Sequence, residues 1–146
     1  YIAARPDWIE GLVDLQVGTS FGGPSPVATE MIAHVLAGGS YRKHMDELRQ
    51  RLARARQQVA GQLARLGIVP WITPRGGFYL WCRLPDGQDA AAIARRCMEE
   101  NIVLAPGNVF SVSGAATGFM RFNVAQSGDA KVMDALRRAM AAGGRG

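Results

Sequence analysis

Cysteine and histidine are scarce in this 146-residue chain, and acidic residues are outnumbered by basic ones, 12 against 17. The two cysteines, Cys82 and Cys97, stand in apolar surroundings without CxxC spacing, which leaves a disulfide framework or a zinc site without support. Both read as buried thiols. The two histidines, His34 and His44, fall in helical patterns and are not paired at metal spacing, so packing or surface roles are expected and no metal site is assigned. No run of about 18 apolar residues occurs, and the opening Tyr1-Ile2-Ala3-Ala4-Arg5-Pro6 has neither the basic region nor the apolar stretch of a signal peptide. The expectation is a cytoplasmic protein that does not enter a membrane. A glycine-rich phosphate loop with its lysine and a Ser-His-Asp constellation are also missing, so no catalytic residue is assigned.

What is present is the makeup of one ordinary globular domain: 48% hydrophobic and 20% charged residues. The formal net charge of +5 raises a nucleic-acid contact, since clustered arginines release phosphate counterions. Its distribution argues otherwise. Arg42, Lys43, Arg49, Arg51, Arg54, Arg56 and Arg65 face only Asp46 and Glu47. In the same stretch Tyr41, Met45, Leu48, Leu52, Ala55, Val59, Leu63 and Leu66 recur at steps of three or four. That is the period of a long amphipathic helix with a solvated arginine face.

Around this helix the elements alternate. Pro6 to Val17 reads as a helix with Trp8, Leu12 and Leu15 on one face, followed by a break at Gly18-Thr19-Ser20-Phe21-Gly22-Gly23-Pro24. Ser25 is expected to cap a second helix, with Pro26 first, that Gly38-Gly39 stops. After the long helix ends at Gly67, Ile68 to Ile72 and Phe78 to Leu84 read as strands joined by the turn Thr73-Pro74-Arg75-Gly76-Gly77. Asp89 is expected to cap a helix to about Glu100, with Ile93, Cys97 and Met98 inward. Ile102-Val103-Leu104 and Phe119 to Val124 give two more strands. Asp129 caps a last helix carrying Val132, Met133, Leu136 and Met140. The whole reads as an open, two-layer α+β fold.

One polar residue stands out. Arg121 lies inside the apolar strand Phe119-Met120-Arg121-Phe122-Asn123-Val124, where alternation puts it on one face with Phe119 and Asn123. Burying an unpaired guanidinium is costly. The pattern leaves two readings open: an internal salt bridge or exposed strand face, and a fork that grips a ligand carboxylate through two parallel bonds.

Three segments in order, Arg75-Gly76-Gly77-Phe78-Tyr79-Leu80-Trp81, Asn101-Ile102-Val103-Leu104-Ala105-Pro106-Gly107 with Phe110, and Met120-Arg121-Phe122-Asn123-Val124-Ala125, resemble successive motifs of the class I and II aminotransferases of fold type I. The resemblance covers nearly the whole chain. It implies a C-terminal small domain of that fold, preceded by an interdomain helix. Residues 1–40 would be a remnant of the large cofactor-binding domain, 41–142 the helix and small domain, and 143–146 a disordered tail. By the same resemblance Arg121 holds the α-carboxylate of an amino acid or 2-oxo acid, and Phe110 walls the substrate cavity. Thr19 and Ser20 resemble the segment that approaches the phosphate of pyridoxal 5'-phosphate in the neighbouring subunit of a homodimer.

The opening Tyr1-Ile2-Ala3-Ala4-Arg5-Pro6 resembles the strand that follows the family's cofactor lysine, which by this resemblance would lie just before residue 1; the chain's only lysines, Lys43 and Lys131, fall elsewhere. Without it no internal aldimine forms, so the chain alone is expected to be inactive. Two parents are compatible with the motifs. Gly39-Ser40-Tyr41-Arg42-Lys43-His44-Met45-Asp46-Glu47-Leu48-Arg49 and Leu80-Trp81-Cys82-Arg83-Leu84-Pro85-Asp86-Gly87 look more like the GntR regulators of MocR type. There a winged-helix domain binds DNA and the aminotransferase-like domain senses an effector. A free-standing aminotransferase is the alternative, and a stand-alone binding module is disfavoured by a start in mid-strand.

Overall fold

The computed structural model describes residues 2–20, 23 and 25–143. The chain divides into two compact units, Tyr1–Met45 and Asp46–Gly146. The first holds helix α1 (Pro6–Ser20), helix α2 (Pro26–Ala37) and the start of helix α3 (Ser40–Ala64). α1 runs past Val17 to Ser20, and the Thr19 hydroxyl donates to the Leu15 carbonyl at 2.7 Å, the back-bond a threonine makes within a helix. Gly18, Thr19 and Ser20 are therefore helical, not part of a break; Phe21, Gly22 and Pro24 of that break lie outside the described residues. Ser25 occupies the N-cap position of α2 but its side chain makes no capping bond. Its carbonyl instead accepts from the backbone N–H and the hydroxyl of Thr29, at 3.0 and 3.1 Å. Gly39, at φ +70, ends the helix in a conformation that costs glycine little. The apolar residues Trp8, Leu12, Leu15, Met31 and Val35 stay exposed, so the periodic stripe of α1 reflects helix period without burial.

In the second unit, strands β1 (Val69–Pro70), β2 (Tyr79–Arg83), β3 (Ala105–Pro106) and β4 (Phe119–Asn123), with helices α4 (Ala90–Glu99) and α5 (Ala130–Gly143), complete the fold. The sheet runs β1-β2-β4-β3 with every neighbouring pair antiparallel. Alternation sends Leu80, Cys82, Met120 and Phe122 to one face. There they join Val59 and Leu63 of α3, Ile93 and Cys97 of α4, and Met133 and Leu136 of α5 in one apolar core. Each of the Val, Leu, Ile, Phe and Met side chains removed from water contributes about 1.5–3 kcal/mol. Met98, expected inside, is 57% exposed, because it follows Cys97 onto the solvent side of the helix. The α+β class read from the sequence holds.

The expected strand Ile68 to Ile72 is shorter than the sequence suggests, and Ile102-Val103-Leu104 is not strand at all, the pairing being displaced to Ala105–Pro106, for one shared reason. The N–H of Ile68 donates to Leu63 and the N–H of Ile102 to Cys97, both at 3.0 Å. These are the bonds that close α3 and α4 at Gly67 (φ +75) and Asn101 (φ +60). Those N–H groups are spent on helix ends, so pairing starts later, at Val69 and Ala105. The N-caps of the unit behave as read. Asp89 accepts from Ala91 and Ala92 at 2.8 and 3.3 Å, and Asp129 from Lys131 at 2.8 Å. α5 extends through Gly143, and Gly144, Arg145 and Gly146 of the expected tail lie outside the described residues. None of the helices among the described residues is long and apolar enough to cross a membrane.

Candidate functional site

The face of the sheet opposite the apolar core is built from the alternate residues Tyr79, Trp81 and Arg83 of β2 and Phe119, Arg121 and Asn123 of β4. The register sets Trp81 opposite Arg121 and Tyr79 opposite Asn123, while Ala105 of β3 flanks Arg121 on the other side. Arg121 therefore occupies the middle of the sheet, half-buried. Its guanidinium carbon sits 4.2 Å from the centroid of the Tyr79 ring and 4.3 Å from that of Phe110. Two ring faces thus hold a planar cation, an arrangement worth about 0.5–2 kcal/mol per ring and compatible with the guanidinium edge staying free for a ligand.

No ion pair among the described residues includes Arg121. Its Nε is buried without a hydrogen-bond partner. Beside it opens a cavity of about 240 Å³, lined by Tyr79, Ile102, Leu104, Arg121, Asn123 and Ser127 among others. The Asn123 amide is already engaged, its Nδ2 donating to the Gln126 side-chain Oε1 at 3.1 Å and its Oδ1 accepting from the Ala125 N–H at 3.1 Å. The internal salt bridge left open by the pattern is absent among the described residues, and the site offers a cation lacking an anion.

The ring that closes the sandwich depends on a close approach. Phe110 ends a short 3-10 turn, Gly107–Phe110, and edge-on contact with Trp81, centroids 5.8 Å apart, steadies it. Gly107 opens that turn where a Cβ would lie 2.1 Å from the Ala116 carbonyl oxygen and 2.8 Å from that of Phe119. Only glycine lets the two segments meet. Trp81 also stacks on Phe119 at 5.5 Å, and Trp71 meets Phe119 edge-on at 5.4 Å, so an aromatic row continues from the Arg121 site along the sheet.

Of the residues picked from the sequence, Arg121 and Phe110 are brought together. Thr19 lies in the last turn of α1 in the first unit, its hydroxyl engaged with Leu15, and the Ser20 side chain lies outside the described residues. Lys43 and Lys131 are exposed, and neither lines the Arg121 cavity. Sequence reasoning missed Tyr79 as a site residue, although the period-2 pattern of β2 already placed it on the Arg121 face. It also missed Arg56. Read as part of a solvated face, Arg56 instead donates through Nη1 to the Gly77 carbonyl at 2.8 Å and through Nη2 to the Arg75 carbonyl at 3.4 Å. Nothing in the sequence separates it from its neighbouring arginines.

The two cysteines are buried and unpaired. Burial pushes the Cys82 thiol up to about 12. Cys97 is raised as well, by burial first and then by the Glu100 carboxylate, with Arg138 opposing. Glu100 is held below its ordinary range chiefly by the hydrogen bonds it accepts from Arg138, which tie the end of α4 to α5. Neither thiol has the electropositive, accessible setting of a nucleophile.

The α+β scaffold thus sets a half-buried arginine without a carboxylate partner among the described residues between two rings beside a cavity. The sequence model of the family described as Aminotransferase class I and II matches residues 1–139, and the chain belongs to that family. It is 25% identical over 140 residues to 2-aminoadipate transaminase of Thermus thermophilus, covering 94% of this chain and 35% of that protein. It is 29% identical over 113 residues to the HTH-type transcriptional regulator YdcR of Escherichia coli, covering 76% of this chain and 24% of that one. Among solved structures, the α-aminoadipate aminotransferase LysN of Thermus thermophilus, complexed with N-(5'-phosphopyridoxyl)-L-leucine, superposes with a TM-score of 0.75. That match has 26% identity and covers 96% of this chain and 37% of that one. An aromatic aminotransferase from Pyrococcus horikoshii gives a TM-score of 0.76 at 25% identity, over 95% and 37% of the two chains. The fold is accordingly that of fold type I aminotransferases, and pyridoxal phosphate is the family's cofactor. The chain spans about a third of the length of the first of these relatives.

Proposed function

We propose that this chain is the carboxylate-binding part of an aminotransferase-like domain whose ligand is an amino acid or a 2-oxo acid. The observation that carries the reading is Arg121, a half-buried guanidinium held between Tyr79 and Phe110 with no anionic partner among the described residues. A ligand α-carboxylate accepts two parallel N–H bonds from such a fork, and the surrounding rings keep water from competing. Phe110 does not line the 240 Å³ cavity itself, so it would bound the ligand site through the ring it lays on Arg121.

The chain's lysines do not fit the family's cofactor, since neither Lys43 nor Lys131 lines the Arg121 cavity. Transamination requires a lysine to hold pyridoxal phosphate and to move the substrate's α-proton. By itself the chain carries no transaminase activity in this reading. Thr19 and Ser20 would approach the cofactor phosphate in a homodimeric parent.

For that parent we favour the effector-sensing domain of a GntR regulator of MocR type, cytoplasmic and binding DNA through a winged helix outside this chain. The resemblance to YdcR supports it, as do the arginine-dense stretch 39–49 and the segment 80–87. A free-standing aminotransferase is the second reading, favoured by the alignment to 2-aminoadipate transaminase over 94% of the chain. Arg121→Leu in the full-length parent is the test. Affinity for amino acids should fall by about 2–4 kcal/mol, the loss expected for a buried charge-assisted pair, while cofactor absorbance is retained. Unchanged amino-acid affinity would refute the role of Arg121. A winged helix encoded upstream decides for the regulator, and its absence there decides for the enzyme.

A further inference from the structure

The turn that leads into β2 has little of its own to hold it. It contains Pro74, Gly76 and Gly77, the last at φ +78, and Arg75, Gly76, Gly77 and Phe78 are all exposed. Yet β2 begins with Tyr79, whose ring must stay 4.2 Å from the Arg121 guanidinium carbon. The tie comes from the long helix. Arg56 of α3, half-buried, donates to the carbonyls of Gly77 and Arg75. One guanidinium thereby bridges two carbonyls of the same turn. Two turns along the helix, Gln62 donates to the Gly128 carbonyl at 3.3 Å. Gly128 follows β4 just as Gly77 precedes β2, and the two strands meet at that end through the Val124 N–H and the Phe78 carbonyl at 2.9 Å. α3 therefore grips both turns bordering the sheet end where Tyr79 pairs with Asn123.

We infer that Arg56 is a positioning residue for the Arg121 site: it fixes the 75–77 turn so that Tyr79 remains stacked on the Arg121 guanidinium. Its bearing on ligand affinity rests on the proposed role of Arg121 as the carboxylate fork. A cation is suited to the task because guanidinium presents several donors in a rigid plane, so two carbonyls are fixed relative to each other. Lysine presents its three donors from one freely rotating ammonium on a flexible stem, so it would fix the two carbonyls less firmly relative to each other.

The test uses the 146-residue chain with nitrogen-15 arginine, as wild type, Arg56→Gln, Arg56→Lys and the control Arg54→Gln, an exposed arginine on the same helix. The Arg121 Nε–Hε signal, assigned by its loss in Arg121→Leu, lies over two ring faces and is expected upfield of its unstacked position. Arg54→Gln should leave it there, Arg56→Gln should move it back toward the unstacked position, and Arg56→Lys should fall between. Titration with 3-phenylpropionate, a simple monocarboxylate, is expected to bind roughly 3- to 30-fold more weakly in Arg56→Gln. An Arg121 signal unmoved in a folded Arg56→Gln chain overturns the inference, whatever the carboxylate does. A signal that moves in Arg56→Gln while 3-phenylpropionate leaves wild-type Arg121 unperturbed upholds the positioning role and defeats the carboxylate reading instead. Should Arg56→Gln not fold, the same signal in Arg56→Lys decides.

Discussion

Replacing Gly107 by alanine places a methyl carbon where the chain has no room. Its neighbours would be the carbonyl oxygens of Ala116 and Phe119, at 2.1 and 2.8 Å, and the Phe119 Cβ at 3.0 Å. Two of the three are backbone, so no rotamer change relieves the clash. The 3-10 turn or the 116–119 segment must retreat by about 1 Å to restore ordinary contact. Overpacking of this kind costs about 1–3 kcal/mol and more when backbone must move; with two carbonyls involved, about 3 kcal/mol is expected. In a unit of roughly 100 residues each kcal/mol lowers the melting temperature by about 4–8 °C. Gly107→Ala should therefore melt at least about 10 °C below the wild type in a calorimetric or circular-dichroism scan. Gly118→Ala, where an added Cβ meets nothing within 4 Å, is the matched control. Because Gly107 leads the turn that ends in Phe110, the tryptophan fluorescence of the Trp81–Phe110 contact should change with it. A Gly107→Ala chain that melts within about 2 °C of the control would refute the steric argument, since a shift that small corresponds to well under 1 kcal/mol.

Other outcomes follow from the same geometry. The Cys82 thiol, raised to about 12 by burial, holds its proton when folded but loses it near pH 8.5 when unfolded. The unfolded state then binds fewer protons, so stability should fall as pH rises above about 8.5, by about 1.4 kcal/mol per unit for this one group. Chemical denaturation at pH 8, 9 and 10 measures it, and Cys82→Ala should flatten the slope. A wild-type slope matching Cys82→Ala would contradict the assignment. Asp89→Ala removes two capping bonds from α4 and is expected to lower stability by about 1 kcal/mol; an unchanged urea midpoint would show the cap to be dispensable.

Local chemistry made much of this molecule legible. Asp89 and Asp129 announce helix starts because their carboxylates satisfy free N–H groups within the next three residues, an interaction that needs no distant partner. Gly67 marks a helix end because a left-handed residue is needed there and glycine supplies it without strain. Arg121 could be assigned to a face with Phe119 and Asn123 because alternation is a property of the strand itself. The same local logic failed where two local demands compete for one group. Ile68 and Ile102 carry the β-branched signature of strands, yet their N–H groups close helices, and pattern alone does not rank the two uses.

The sequence by itself determined the α+β class, the family through its three motifs, and the placing of Arg121 inside an apolar strand. Each depends on residue order over a few positions. Tertiary structure decided the surroundings of that arginine: that Phe110 and Tyr79 sandwich it, that no carboxylate among the described residues pairs with it, that Arg56 and not a neighbouring arginine bonds the 75–77 turn, and that Gly107 has no space for a side chain. These are contacts between residues far apart in the chain, and they are fixed by how the sheet and α3 pack around one core. Periodicity tells which face a side chain occupies; only the packed fold tells what stands opposite it.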